Sequence, residues 1–270
     1  MRTESYLQSA SRRGGESRTG ILQREMEKHI CTDGAAMGDK MAMVYLRQRN
    51  IPEELVQEFY KEGLIYEDAQ HHNIVFVGKD ETGIPRYAHC KGTEGSFRMD
   101  VQGSDKSHNF AYRSDGKSLF VFEAPIDLMS FIALYPKDWK IRNYLSLGGV
   151  GAKALEGFLS ERKDIETVYI CTDSDKAGND AVNRLLESIP EYVTVIRLTP
   201  CEKDWNEVLK QKDKLPDGKY ISRRIMLRGK SEKESGSHDS YERSSANRGG
   251  LALVSVHPIW KADDYSGQSL

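Results

Sequence analysis

Acidic residues stand where this chain passes from apolar to polar. Glu123 ends the run Leu119-Phe120-Val121-Phe122. Asp173 and Asp175 follow Val168-Tyr169-Ile170-Cys171, within Thr172-Asp173-Ser174-Asp175-Lys176-Ala177-Gly178. Asp127 comes four residues after Glu123, one helical turn on, and can face the same crevice. Asp204 closes a polar segment after a last apolar run, Val193-Thr194-Val195-Ile196. Clustered carboxylates repel one another and their pKa values rise. A hard divalent cation removes that cost, because Mg²⁺ takes oxygen ligands, keeps several waters and needs only one or two carboxylates plus a substrate phosphate. Gly178 permits close approach at the start of a helix whose N-terminal amides could receive a phosphate. Taken singly, these motifs are ordinary: Asp is a favoured N-cap, and Glu123-Ala124-Pro125 is a common strand-to-helix turn. Their joint placement is what points to a metal site.

The elements around them must supply that placement. Short apolar strands at 119–122, 144–147, 168–171 and 193–196 alternate with helices at 125–135, 152–159 and 178–188. Nearly unbroken apolar strands separated by helices predict a parallel sheet covered on both faces. In such sheets ligands bind beyond the carboxyl ends of the strands, the edge these carboxylates occupy. Upstream, residues 21–63 read as helical, with Pro52 in the first turn of a helix and Gly63 as its stop. Ile74-Val75-Phe76-Val77 and Pro85 to His89 read as a hairpin, with a third strand over 96–101. The pattern divides the chain into a disordered N-terminus (1–20), an α+β module (21–117), an α/β domain (118–218) and a mostly disordered tail (219–270). Within that tail Leu251 to Trp260 is apolar but isolated.

Composition bounds the function. The 270 residues carry 30% charged and 38% hydrophobic side chains and a formal net charge of −2, which excludes a globally basic nucleic-acid binder but not a local basic surface. The four cysteines form no C-x-x-C pair, which argues against a zinc ribbon. With no apolar leader and no apolar run long enough to span a membrane, the reading is a cytoplasmic protein with no membrane partner. Lys91, Arg98, Lys106 and Arg113 read either as a solvated surface or as a basic face, and the Gly103-Ser104-Asp105-Lys106 turn could offer amides and an ammonium to phosphate. Gly148-Gly149-Val150-Gly151 lacks the ending of a Walker A loop and reads as a tight turn. Trp205 reads as a core residue, and His71-His72 as surface histidines.

The motifs resemble those of the Toprim family. Val121 to Asp127 is similar to its first motif, with Ala124 where the family usually has Gly, and Thr172 to Gly178 is similar to its Asp-x-Asp motif. Lys203-Asp204-Trp205-Asn206-Glu207 resembles the acidic stretch after the last strand in bacterial primases, with Asn206 where a second Asp would stand. Tyr45 to Ile51, Asn73 to Gly78, Arg86-Tyr87 and Gly92-Thr93 resemble the module that opens the primase catalytic core. Over about residues 40–210 the chain resembles Toprim proteins of bacterial mobile elements.

That resemblance implies a Toprim-like Rossmannoid α/β sheet with flanking helices, preceded by a smaller α+β module. It implies Mg²⁺ (with Mn²⁺ as a substitute) held by Asp173 and Asp175. Glu123 would act as general acid/base or join the metal shell, and Asp127 and Asp204 would support a second ion. It implies primase-like nucleotidyl transfer in mobile-element DNA replication or transfer. The partners would then be single-stranded DNA or RNA, nucleotides and proteins of replication or conjugation. A Toprim nuclease and a non-catalytic DNA-binding accessory factor are the other two readings.

Overall fold

Alternation inside one short strand decides the layering. Leu119 and Val121 pack into one apolar cluster and Phe120 and Phe122 into another, so the strand is buried on both faces. The computed structural model describes residues 17–27, 40–216 and 218–229. Within them the chain runs α1 (Arg18–Glu27), α2 (Met41–Arg47), α3 (Glu53–Lys61), β1 (Ile65–Glu67), β2 (Ile74–Lys79), β3 (Pro85–Lys91), β4 (Arg98–Asp100) and β5 (Ala111–Tyr112). It continues through β6 (Ser118–Phe122), α4 (Pro125–Leu134), β7 (Asn143–Ser146), α5 (Lys153–Glu161), β8 (Thr167–Ile170), α6 (Lys176–Ser188), β9 (Thr194–Pro200), α7 (Trp205–Lys210) and β10 (Ile221–Arg228).

The small sheet is an antiparallel meander in the order β1-β2-β3-β4. The large sheet has the order β10-β9-β8-β6-β7-β5, with β9, β8, β6 and β7 parallel and both edge strands antiparallel. Residues of α5 and α6 pack on one face, and those of α4 and α7 on the other. This is the α/β architecture expected from the strand–helix alternation, preceded by the expected α+β segment.

Several boundaries moved, each for a local reason. The helical reading of 21–63 resolves into α1, α2 and α3. Asn50 is left-handed before Pro52, which caps α3, and Gly63 ends it at φ 61°. Helix α1 starts at Arg18, inside the stretch read as disordered, and buries Leu22 against the small sheet; the rest of that stretch, 1–16, lies outside the described residues. Helix α6 starts at Lys176 because Asp175 caps it. The tail read as mostly disordered from 219 contributes β10, paired to β9; its three Arg residues among apolar ones suit an edge strand, and without an alternating period it does not stand out in sequence. Strands β1 and β5 have three and two residues, below any periodic signal. The apolar segment 251–260 lies outside the described residues.

The change of pattern near residue 117 is not a break in packing. Met43, Leu46, Val56, Phe59 and Phe76 of the first segment share one apolar cluster with Phe122, Phe131, Tyr144 and Trp205 of the second. A turn at Lys106–His108 is clamped between the two sheets' supports. A Cβ on Gly78 of β2 would lie 1.8 Å from the His108 carbonyl oxygen, and one on Gly157 of α5 would lie 2.1 Å from that of Ser107. His108 and Arg113 both reach Glu161 of α5, at 2.9 and 2.7 Å. Gly157→Ala and Gly78→Ala are therefore each expected to destabilise the protein by about 1–3 kcal/mol in urea unfolding, because overpacking against backbone cannot be relieved by a rotamer. Gly151→Ala, where a Cβ meets nothing within 4 Å, should stay near wild type.

Candidate functional site

Strand order places the site. From β6 the chain passes through α4 to β7 on one side; from β8 it passes through α6 to β9 on the other. Strands β6 and β8 are neighbours whose connections leave in opposite directions, so a crevice opens beyond their carboxyl ends. Glu123 follows β6 and Asp173 follows β8. A cleft of about 550 Å³ forms there, lined by Glu123, Asp127 and Asp173 with Gly148 and Gly149. Its remaining wall comes from the small sheet and the segment after it, through Tyr87, His89, Arg98, Asp100 and Asn109.

The acidic loops are stitched to each other. The backbone N–H of Asp173 donates to Glu123 Oε1 at 3.0 Å. Ser174 N–H donates to the Lys203 carbonyl, and its hydroxyl to that of Glu202, tying the loop after β8 to the one after β9. Gly178 lets this happen, since a Cβ there would sit 2.4 Å from Asp173 O and 2.7 Å from Glu123 Oε1. Its amide, read from sequence as a phosphate receiver, is instead taken by Asp175 Oδ1 at 2.9 Å. Asp127, in the first turn of α4, is 8% exposed and accepts from the Asn206 N–H at 3.2 Å.

Burial is the first cause of every pKa shift at the site. It raises Glu123; the Asp175 charge adds to this, while the Asp173 N–H and Arg197 oppose it. It raises Asp127 well above the carboxylate range, with Asp173 and Asp204 adding repulsion. Asp173 is pushed up to about 7 by burial and then by Glu123, Asp204 and Asp175, against Lys203. Asp173 Oδ1 is buried and accepts no hydrogen bond. A hard oxygen donor without a partner, among carboxylates that resist ionising together, fits a divalent cation.

The five carboxylates named from sequence do not form one shell. Among the described residues no three His, Cys, Asp or Glu side chains are grouped closely enough to hold a metal as they stand. Glu123, Asp127 and Asp173 share the crevice. Asp175 and Asp204 do not line it: they cap α6 and α7, accepting from Gly178 N–H and Glu207 N–H, and act on it through their charge. Asn206 cannot be read as a lost ligand, because its amide donates to Arg49 O at 3.0 Å and Ser130 Oγ at 2.9 Å, which an ionised Asp could not do. Trp205 is core, fully buried with its indole N–H on Cys171 O. Lys106 stands outside the crevice and reaches it through Asp100, 2.9 Å away. Of the other expected cations, Arg113 is bound to Glu161, whereas Lys91 and Arg98 face each other across β3 and β4. Lys91 and Arg49 both lie over the Tyr45 ring.

Sequence reasoning missed Arg197. It sits in β9, 4% exposed, and donates to the carbonyls of Ile170, Thr172 and Asp173 at 3.3, 2.7 and 2.8 Å. Its charge lies beneath the acidic loop and its fork fixes that loop's backbone. A lone Arg in the apolar run Val193 to Leu198 is the signal that could have found it. His89 was missed as well; only the pairing of β3 with β4 brings it to the crevice.

Comparison with known proteins bears on the fold that holds this crevice. Residues 120–209 match the Toprim-like family model, and residues 44–118 match a family described as a protein of unknown function, DUF3991. An uncharacterized protein of Bacillus anthracis is 24% identical over 222 residues; the match covers 70% of this chain, and the chain spans 64% of that relative's length. Among solved structures, the primase fragment of the bacteriophage T7 primase-helicase protein superimposes with a TM-score of 0.52 at 18% identity, over 62% of this chain and 69% of that one. The Aquifex aeolicus primase, with its zinc-binding and RNA polymerase domains, gives 0.51 at 18%, over 72% of this chain and 57% of that one. A DnaG primase catalytic domain bound to ssDNA gives 0.50 at 13%, over 73% and 75%. Identities this low speak for a shared fold. Over residues 120–209 the chain is similar to the Toprim-like family, and its fold is one shared with primase catalytic cores.

Proposed function

We propose that this chain is a metal-dependent phosphoryl-transfer enzyme of nucleic acid and that its reaction is primase-like nucleotidyl transfer. The observation that carries the reading is the unpartnered Asp173 Oδ1 beside Glu123 and Asp127, at the switch point of the parallel sheet. Mg²⁺ or Mn²⁺ would be held by Glu123, Asp127 and Asp173, with the charges of Asp175 and Asp204 adding to the attraction. Bound there, it would stabilise charge on a transferring phosphoryl group. Arg98 on the facing wall, with Lys91 and Arg49 over Tyr45, suits the backbone and bases of a single strand. Lys106 would stand behind Asp100 as a second source of positive charge for a nucleotide phosphate. Primase domains of this fold bound to ssDNA, and to an RNA/DNA hybrid with dTTP, support the choice of partners. The sequence resemblance supports a setting in mobile-element replication or transfer.

The deciding assay offers a labelled single-stranded oligonucleotide, nucleotides and Mg²⁺ or Mn²⁺. Extension products are expected, and Glu123→Gln and Asp173→Asn should each lower their yield by about 100-fold or more. Shortened oligonucleotide in place of extension would make the crevice a nuclease site. No product of either kind would defeat the enzymatic reading.

Stability should follow the same charges. Asp173 titrates near 7 folded and near 3.8 unfolded, so the folded state holds a proton that the unfolded chain releases. Its stabilising effect is complete at pH below 3.8 and is lost as pH rises through about 7. In metal-free protein Tm is expected to fall across that window, and millimolar Mg²⁺ to raise it again at neutral pH. Asp173→Asn should flatten the pH dependence and weaken the Mg²⁺ response. A wild-type Tm indifferent to Mg²⁺ at neutral pH would speak against the metal site.

A further inference from the structure

The wall that faces the carboxylates contains a second ionisable assembly. His89 on β3 and Asp100 on β4 are direct cross-strand partners, and both line the crevice. Asp100 Oδ1 accepts from Tyr87 Oη at 2.6 Å and lies 2.8 Å from His89 Nδ1, while Oδ2 pairs with Lys106 Nζ at 2.9 Å. These three donors offset the burial of Asp100 and hold it ionised, with a pKa lowered to about 2. An ionised carboxylate only accepts, so His89 must carry its proton on Nδ1. In the neutral ring Nε2 then carries the lone pair, and none of the described residues hydrogen-bonds it. The ring is 22% exposed, open to the crevice and to solvent.

A cross-strand His–Asp pair can simply stabilise a sheet. That account explains neither the convergence of three donors on one carboxylate nor the placement of the ring beside Glu123, Asp127 and Asp173. A carboxylate that fixes the tautomer of an imidazole, with the other nitrogen facing a site of phosphoryl chemistry, has the form of an oriented general base.

We propose that His89, oriented by Asp100, is the proton acceptor for the strand hydroxyl that attacks phosphorus in this crevice. The inference rests on the nucleotidyl-transfer reading above. In the step, Nε2 takes the proton of the attacking O–H. The oxygen's electron pair forms the new P–O bond. The bond from that phosphorus to the bridging oxygen breaks, and its electron pair leaves on pyrophosphate. The imidazolium then returns its proton to solvent through its exposed edge. Asp100 stays ionised throughout and is a positioning residue.

The test uses the full chain with a single-stranded DNA template, ribonucleoside triphosphates and Mg²⁺. His89→Ala should lower kcat by about 100-fold or more. The KM for nucleotide and the affinity for template by fluorescence anisotropy should stay near wild type. Free imidazole should restore the His89→Ala rate in proportion to its concentration. His89→Gln, which can keep a hydrogen bond to Asp100, should have the same low kcat with an unchanged Tm. Asp100→Asn should be slowed, with no rescue by imidazole. A His89→Ala rate equal to wild type, or a slowed rate that imidazole leaves unchanged, would overturn the proposal. If Glu123→Gln is still inactive in that case, the nucleotidyl-transfer reading survives without it. No product from the wild-type chain would overturn both.

Discussion

Three carboxylates line one crevice beyond the ends of two neighbouring parallel strands, and each is pushed toward its protonated form by burial before neighbouring carboxylates add repulsion. The cost of holding them together governs the surrounding architecture. Arg197 places a buried positive charge beneath the loop after β8 and grips the carbonyls of Ile170, at the end of the strand, and of Thr172 and Asp173 in the loop. The backbone N–H groups of Asp173 and Asn206 donate to Glu123 and Asp127. Asp175 and Asp204 are turned aside as helix caps, which spares the crevice two more ligands while leaving their field in reach. What is left unsatisfied is one buried oxygen of Asp173.

The crevice belongs to neither segment alone. Its acidic wall comes from the parallel sheet, and its cationic and imidazole wall from the antiparallel meander. The two are locked by a common apolar cluster, by a turn squeezed between Gly78 and Gly157, and by the Asn206 amide reaching the Arg49 carbonyl. This explains why Asn206 stands where an acid would in the resembling motif: its two donors join α7 to the first segment and to α4. The rigidity that results matters for phosphoryl transfer, where positioning and fixed charge supply most of the catalysis.

Local patterns carried a large part of this into the sequence. The alternation of apolar runs with helical spacing was enough for the parallel core, because burial on both faces leaves each strand nearly unbroken in hydrophobicity. The acids at strand ends were legible for the same reason: a carboxylate after such a run must sit at the sheet's edge. Gly63 as a helix stop, the turn at Gly148-Gly149 and Trp205 as core all follow from single-residue chemistry.

What sequence could not decide was which polar groups meet. Asp173 and Asp175 are two residues apart and look equivalent, yet one lines the crevice and the other caps α6; the difference is the direction in which the chain enters the helix. Arg197 has no local reason to be buried, and its partners lie about 25 residues away in the neighbouring strand. His89 and Asp100 become a pair only through the register of β3 against β4. Sequence by itself determined the four strands of the parallel core and the acids that follow them, because those depend on hydrophobic period and local capping. Tertiary structure decided which acids converge, what neutralises them and what faces them, because those depend on strand order and on contacts between residues far apart in the chain.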